Sequence, residues 1–209
     1  MFLEKPKTVK IRKAVTSRVI TQEDIRNVLT RIKSAEAAGE IPRERSQQYT
    51  AFIIFGAYTG QRSTATTSRL TVGQFREALG NYKPVLLVNP DQHKIRMAHF
   101  VPLHGCVMKV VRPLLAGRKD AELIFKHGSL SRWLDRQRIP MSRFKGHFVL
   151  GDLRKFAEQH GDVIGWDQSN RAYILTHGVS GVDWSHYKHP LPEHVYDIYM
   201  RYWGDVTLK

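Results

Sequence analysis

Apolar positions recur at helical spacing over most of this chain. Ile25, Val28, Leu29, Ile32 and Ala35 lie three and four residues apart, as on one face of a helix. Thr21-Gln22-Glu23-Asp24 just ahead reads as a capping box, and Gly39 closes the segment. A second helix is predicted from about Glu44 to Tyr58. Tyr49, Phe52, Ile53 and Gly56 form one of its faces, while Ile54 and Phe55 fill the other. A helix apolar all round is a central, buried one. Thr59-Gly60 ends it, with Gly60 suited to the left-handed C-terminal position, and Arg62 follows at once. The pattern then predicts a short polar helix from Ser63 to Arg69 and another, capped by Thr71, through Phe75 to Leu79.

The period changes between Asn81 and Val101. Val85-Leu86-Leu87-Val88 reads as a short buried strand, Asn89-Pro90-Asp91 as a turn, and Lys94 to Val101 as the returning strand, with Lys94 near the hairpin tip. Helical spacing returns at Cys106, Val107, Val110, Val111, Leu114 and Leu115, then at Leu130, Trp133 and Leu134. Further helices are predicted from Asp152 to Gln159, from a Ser169 cap through Leu175 to a stop at Gly178, and from His194 to Trp203. The fold class expected is mainly α with one small antiparallel β-sheet, an α+β chain without internal repeats.

Charge narrows the partner. The 33 Lys and Arg against 19 Asp and Glu leave a net charge of +14. That excess points to a polyanion. No long basic amphipathic helix is present, which favours nucleic acid over a membrane surface. No apolar run approaches the ~18 residues a bilayer crossing needs. The N-terminal lysines are not followed by the apolar stretch of a secretory signal. Cys106 is the sole cysteine, so neither an intrachain disulfide nor a cysteine-based zinc site is possible, and a reducing, intracellular setting fits.

Four stretches carry candidate chemistry. Tyr58-Thr59-Gly60-Gln61-Arg62 sets an arginine after a helix end. Lys94 sits on the predicted hairpin, eight residues before Pro102 in Val101-Pro102-Leu103. Gly151-Asp152-Leu153-Arg154 starts a helix with a second arginine. Thr176 to Pro190 holds His177 and, ten residues on, Tyr187 in Tyr187-Lys188-His189-Pro190. This order resembles the tyrosine recombinase (phage integrase) family over about residues 21–190. The resemblance implies a recombinase catalytic-domain fold in which Arg62, Lys94, Arg154, His177 and Tyr187 are the catalytic residues. It implies metal-free, ATP-free cleavage and rejoining of double-stranded DNA through a 3′-phosphotyrosine bond, with no cofactor. It also implies assembly of protomers, as a tetramer, on DNA.

Two positions and one spacing depart from the family pattern. Gly151 stands where a histidine is usual, with His147 one helical turn earlier. Ala65 stands where an acidic residue is common, and the His177-to-Tyr187 spacing is ten rather than nine.

The chemistry suits those residue types. Phosphodiester cleavage concentrates negative charge on the nonbridging oxygens, and two guanidiniums grip them with paired donors while staying charged. Lys94 would protonate the leaving 5′-oxygen. His177 would hydrogen-bond the phosphate, and Tyr187 would attack. Tyr173, Tyr196, Tyr199 and Tyr202 have apolar helical neighbours and read as packing residues. His93, His99 and His104 cluster near the hairpin without a characteristic metal-ligand spacing. The expected organisation is a basic arm or interdomain linker over 1–19, a catalytic domain over 20–191 and a helical tail over 192–209. That tail would pack on its own domain or dock on a neighbouring protomer. Two other readings stay open: a type IB topoisomerase-like relaxing activity, and a noncatalytic DNA-binding protein that has kept the fold.

Overall fold

A computed structural model of the chain describes residues 18–94, 96–176 and 191–208. Helix α1 spans Gln22–Ala37 and starts at the expected capping box. The Thr21 hydroxyl accepts from the Asp24 amide at 3.2 Å, and the Thr21 amide donates to the Asp24 carboxylate at 2.7 Å. Asp24 also accepts from the Ser142 amide at 2.7 Å, so the cap ties α1 to a distant loop. Thr21→Ala should lower unfolding free energy by about 1 kcal/mol. Denaturant melts would show it as a lower midpoint at unchanged slope.

Helix α2, Arg43–Thr59, is the axis of the molecule, buried on every side from Ala51 to Thr59. It packs against α1, α4 (Gly105–Val111) and α6 (Asp152–Val163). Helix α3, Val72–Gly80, has its own capping box from Thr71 and Gln74. It lies on the two-stranded antiparallel sheet of β1, Val85–Val88, and β2, His99–Pro102, paired from Val85↔Pro102 to Val88↔His99. The remaining α-helices among the described residues are α5, His127–Gln137, α7, Gln168–Leu175, and α8, Pro192–Trp203. The architecture is therefore mostly helical with one small antiparallel sheet.

Three local expectations are corrected. Residues 63–69 form no α-helix but a turn that tightens into a 3₁₀ turn, Thr67–Arg69. The Arg62 carbonyl accepts from both the Thr66 and Thr67 amides at 2.9 Å, and the Ser68 hydroxyl donates to the Thr64 carbonyl at 2.6 Å. Hydroxyl residues offering such local bonds compete with a regular helix. The returning strand begins at His99, not Lys94. Pro90–Gln92 coil into a 3₁₀ turn and Arg96 takes a left-handed conformation (φ 51), which takes that segment out of the ladder. Helix α7 is capped by Asp167, whose carboxylate accepts from the Asn170 amide at 2.6 Å, rather than by Ser169. It ends at Thr176, and Gly178 lies outside the described residues.

The C-terminal segment packs on its own domain. Val195, Tyr199 and Trp203 of α8 are buried, as is Leu208 beyond it. The Tyr199 hydroxyl donates to the Tyr58 carbonyl at 2.9 Å, and the Tyr58 hydroxyl donates to the Val206 carbonyl at 2.7 Å. At the other end, Arg18 pairs with the buried Asp152 at 2.5 Å, anchoring the start of α1 to the start of α6.

Candidate active site

Two glycines, Gly56 on α2 and Gly60 just past its end, decide where the arginines meet. A Cβ on Gly56 would fall inside the Leu153 side chain, and one on Gly60 would fall inside Leu175 and against Ala157. Gly60 also has φ 63, the left-handed conformation expected of a helix C-terminus. The end of α2 thus lies directly on α6 and α7, and Arg62, two residues beyond Gly60, is brought beside Arg154 on the first turn of α6.

Arg154 spans the two helix ends. One guanidinium nitrogen donates to the Gly60 carbonyl at 3.1 Å, and the other donates to the Leu175 carbonyl. Its Nε lies 3.4 Å from the Glu158 carboxylate, one turn along α6. Burial, and next the Arg62 guanidinium, pull its pKa down to about 10, so it remains charged at neutral pH. Arg62 is half-buried. Its Nε is shut away from solvent with no hydrogen-bond partner, and no carboxylate pairs with it among the described residues. A buried donor left unmatched carries a desolvation cost of about 1–3 kcal/mol, which an anion in the site would relieve.

A histidine missing from the predicted catalytic set completes this cluster. His93 ends the 3₁₀ turn after β1 and is only 5 % exposed. Gln92 pins that turn by donating to the Arg69 carbonyl at 2.7 Å and pairing with Gln74, while Arg69 donates to the Asp91 carbonyl at 2.7 Å. Burial, then Arg62, then Arg154 hold the His93 imidazole below its ordinary pKa. Its Nε2 lies 2.8 Å from the Thr176 hydroxyl. That hydroxyl lies 2.6 Å from the Leu175 carbonyl and donates there, so its oxygen accepts from the His93 N–H.

His99 stands behind His93, ring centroids 5.0 Å apart. Gln61 joins it to the end of α7: its amide nitrogen donates to the Ile174 carbonyl at 2.8 Å, and its oxygen accepts from His99 Nε2 at 3.1 Å. Burial, with the nearby His93 adding, pushes His99 down to about 4. The last carbonyls of α7 are therefore capped by Gln61, Arg154 and the Thr176 hydroxyl. Thr176 itself sits at φ 55. The left-handed region costs a non-glycine residue roughly 1–2 kcal/mol, and a β-branched one is rare there.

The structure thus brings Arg62 and Arg154 together. Lys94 follows His93 directly, exposed, in the connection between β1 and β2. His177 and Tyr187 lie outside the described residues. Gly151 is exposed, with open space where a side chain would begin. Among the described residues, no hydrogen bond joins the His147 side chain to either arginine; its backbone bridges to Pro140, and its carbonyl accepts from Arg18 at 2.6 Å. His104 separates from the other two hairpin histidines: it caps α4 and stacks on Tyr58 at 4.4 Å. No group of three metal-ligating side chains occurs among the described residues, and no described helix is long and apolar enough to cross a membrane.

Sequence reasoning placed His93 in a loose histidine cluster and left Gln61 and Thr176 unremarked. The available signal was adjacency: His93 precedes Lys94, Gln61 precedes Arg62 and Thr176 precedes His177.

Among the described residues, this mostly helical fold with one two-stranded antiparallel sheet is recombinase catalytic-domain-like. Among solved structures, a crystal structure of XerA recombinase aligns with it at a TM-score of 0.54 and 17 % sequence identity. The alignment covers 88 % of this chain and 64 % of that one, so the chain spans under two thirds of that protein. No family model and no curated protein matches the sequence.

Proposed function

We propose that this protein cleaves and rejoins DNA strands as a site-specific recombinase or integrase, through a covalent phosphotyrosine. The observation that carries this reading is the Arg62–Arg154 pair. Two guanidiniums share one half-buried site, and the Arg62 Nε has neither a hydrogen-bond nor a carboxylate partner among the described residues. Adjacent like charges repel, and such a site is stabilised by an anion placed between them.

In this reading the scissile phosphate sits on the pair. The Tyr187 oxygen, giving up its proton to water, forms the new bond to phosphorus as the bond to the 5′-oxygen breaks. Lys94 delivers a proton to that oxygen, and His177 hydrogen-bonds the phosphate. Burial raises the pKa values of Tyr58, Tyr173, Tyr196 and Tyr199, the wrong direction for a nucleophile, so they are poor competitors for the role. The catalytic domain would span 20–191, with 1–19 an arm along the DNA backbone and 192–209 a tail. Recombination would take place inside cells, on double-stranded DNA, in paired protomers.

The test is a library of nicked suicide duplexes of randomised sequence, incubated with the protein and resolved on a denaturing gel. A covalent protein–DNA band is expected in wild type and should vanish in Tyr187→Phe. A band that survives this substitution removes Tyr187 from the mechanism. The open position at Gly151 favours one other reading, a noncatalytic DNA-binding protein. Binding with no band from any duplex, in wild type and in Gly151→His alike, supports that alternative.

A further inference from the structure

The end of α7 is where the chain leaves the described fold toward His177 and Tyr187, and four separate elements grip it. Gln61, after α2, holds the Ile174 carbonyl at 2.8 Å. Arg154, on α6, holds the Leu175 carbonyl. Tyr173 accepts from the Phe100 amide of β2 at 3.1 Å. His93, at the end of the pinned 3₁₀ turn, donates to the Thr176 hydroxyl at 2.8 Å. The last contact differs from the others in kind. It joins a residue one position before Lys94 to a residue one position before His177, and Thr176 is held in a conformation that β-branched residues rarely adopt. A polar bond between two buried side chains 83 positions apart, beside an arginine pair, is more than a loop staple requires.

We propose that His93 and Thr176 form a clasp that positions the Lys94 turn and the α7 exit against the Arg62–Arg154 pair. The proposal rests on the strand-cleavage reading, and within it His93 and Thr176 are positioning residues that do not touch DNA. The connection is continuous. His93 donates to the Thr176 hydroxyl, that hydroxyl donates to the Leu175 carbonyl, and the same carbonyl accepts from Arg154. A shift at the hairpin base is therefore felt at the guanidinium and at the residue preceding His177. Among the described residues, the titratable groups facing the imidazole are Arg62, Arg154 and His99, all cationic or basic, and with burial they hold its pKa below the ordinary value, which favours the neutral ring as donor. Clasping by a neutral donor leaves the positive charge of the pair for the phosphate.

The clasp is tested in two arms. In the first, covalent-complex formation is timed with suicide duplex at saturation. His93→Ala and Thr176→Val should each slow cleavage about 10- to 100-fold, the scale of a misplacement near one ångström. DNA affinity should stay within about twofold. Thr176→Ser and His93→Gln, which keep the hydroxyl and the N–H, should restore most of the rate. The double variant His93→Ala/Thr176→Val should be no slower than the slower single, because each breaks the same bond. Wild-type rates in either single variant, or losses that multiply, overturn the proposal.

The second arm needs no DNA. Amide hydrogen exchange is followed at Arg96, which donates to the His93 carbonyl, and at Thr176, which donates to the Tyr173 carbonyl. Either single variant should speed exchange at both sites; acceleration confined to the mutated stretch overturns the clasp. If wild type forms no covalent complex with any duplex, the cleavage reading has failed, and the exchange arm still decides the clasp.

Discussion

Replacing Arg154 with alanine is expected to cut covalent-complex formation by at least about 10³-fold, the scale of losing one preorganised donor at a developing oxyanion. Two effects are superimposed. The first is loss of half of the paired grip on the nonbridging oxygens. The second is structural, because the Gly60 and Leu175 carbonyls both lose a donor. The Leu175 carbonyl keeps the Thr176 hydroxyl, but the Gly60 carbonyl loses its Arg154 donor; an unmatched buried carbonyl costs about 1–3 kcal/mol, so the variant should also unfold at lower denaturant.

Arg154→Lys separates the two effects. Lysine keeps the charge but presents a point donor in place of a planar fork and cannot reach both carbonyls in the same way. Its stability should fall between wild type and alanine, while its cleavage rate stays at least about 100-fold down. Single-turnover rates measured beside denaturant melts decide the matter. A lysine variant that cleaves at the wild-type rate once corrected for the folded fraction would reduce Arg154 to a helix-end brace.

Acid should begin to destabilise this protein above the range where carboxylates titrate. His99 is 1 % exposed, and burial with its neighbour His93 lowers its pKa from the ordinary 6.5 to about 4. The unfolded chain therefore binds a proton more readily than the folded one. Stability is full above pH 6.5, falls as pH drops from 6.5 to about 4, and this group contributes no further loss below that. The window corresponds to about 3 kcal/mol for His99 alone. Burial also lowers His93, His104, His127 and His160, which steepens the same slope. Melts between pH 7 and 4.5 should show the decline. His99→Gln, which keeps a donor for Gln61, should flatten it. An unchanged slope in that variant would remove His99 as the cause.

Helices were legible in the sequence wherever one face alone is buried. Ile25, Val28, Ile32 and Ala35 are inside, as their spacing predicts, and the all-round apolar pattern of α2 marked the central helix. The β1 strand was legible as an unbroken apolar run. The second strand was legible too, but not where it starts, because the departure from the ladder depends on the left-handed backbone at Arg96, a residue type with no preference for it. The helix expected over 63–69 likewise gave way to a turn closed by the Thr66 and Thr67 amides on the Arg62 carbonyl and by the Ser68 hydroxyl on the Thr64 carbonyl. At the candidate site, motif order picked out the two arginines that the structure brings together, whereas His93 was not picked out. Its role depends on Gln92, Gln74 and Arg69 pinning the turn so that the ring faces Thr176, and such cross-connections leave no periodic trace.

By itself, the sequence determined the mainly helical class with one hairpin, the burial of α2, the strong positive charge, and which arginines, lysine and tyrosine deserve a test. These are local or additive properties, set by spacing, capping chemistry and formal charge. Only the tertiary structure decided that α8 packs on its own domain, that Arg154 bridges two helix ends while the Arg62 Nε has no partner among the described residues, and that His93 meets Thr176. Each of these depends on close approach between segments far apart in the chain. That approach is possible because Gly56 and Gly60 leave room for Leu153 and Leu175 against α2. A glycine in sequence says only that a side chain is missing; what fills the space is settled by packing.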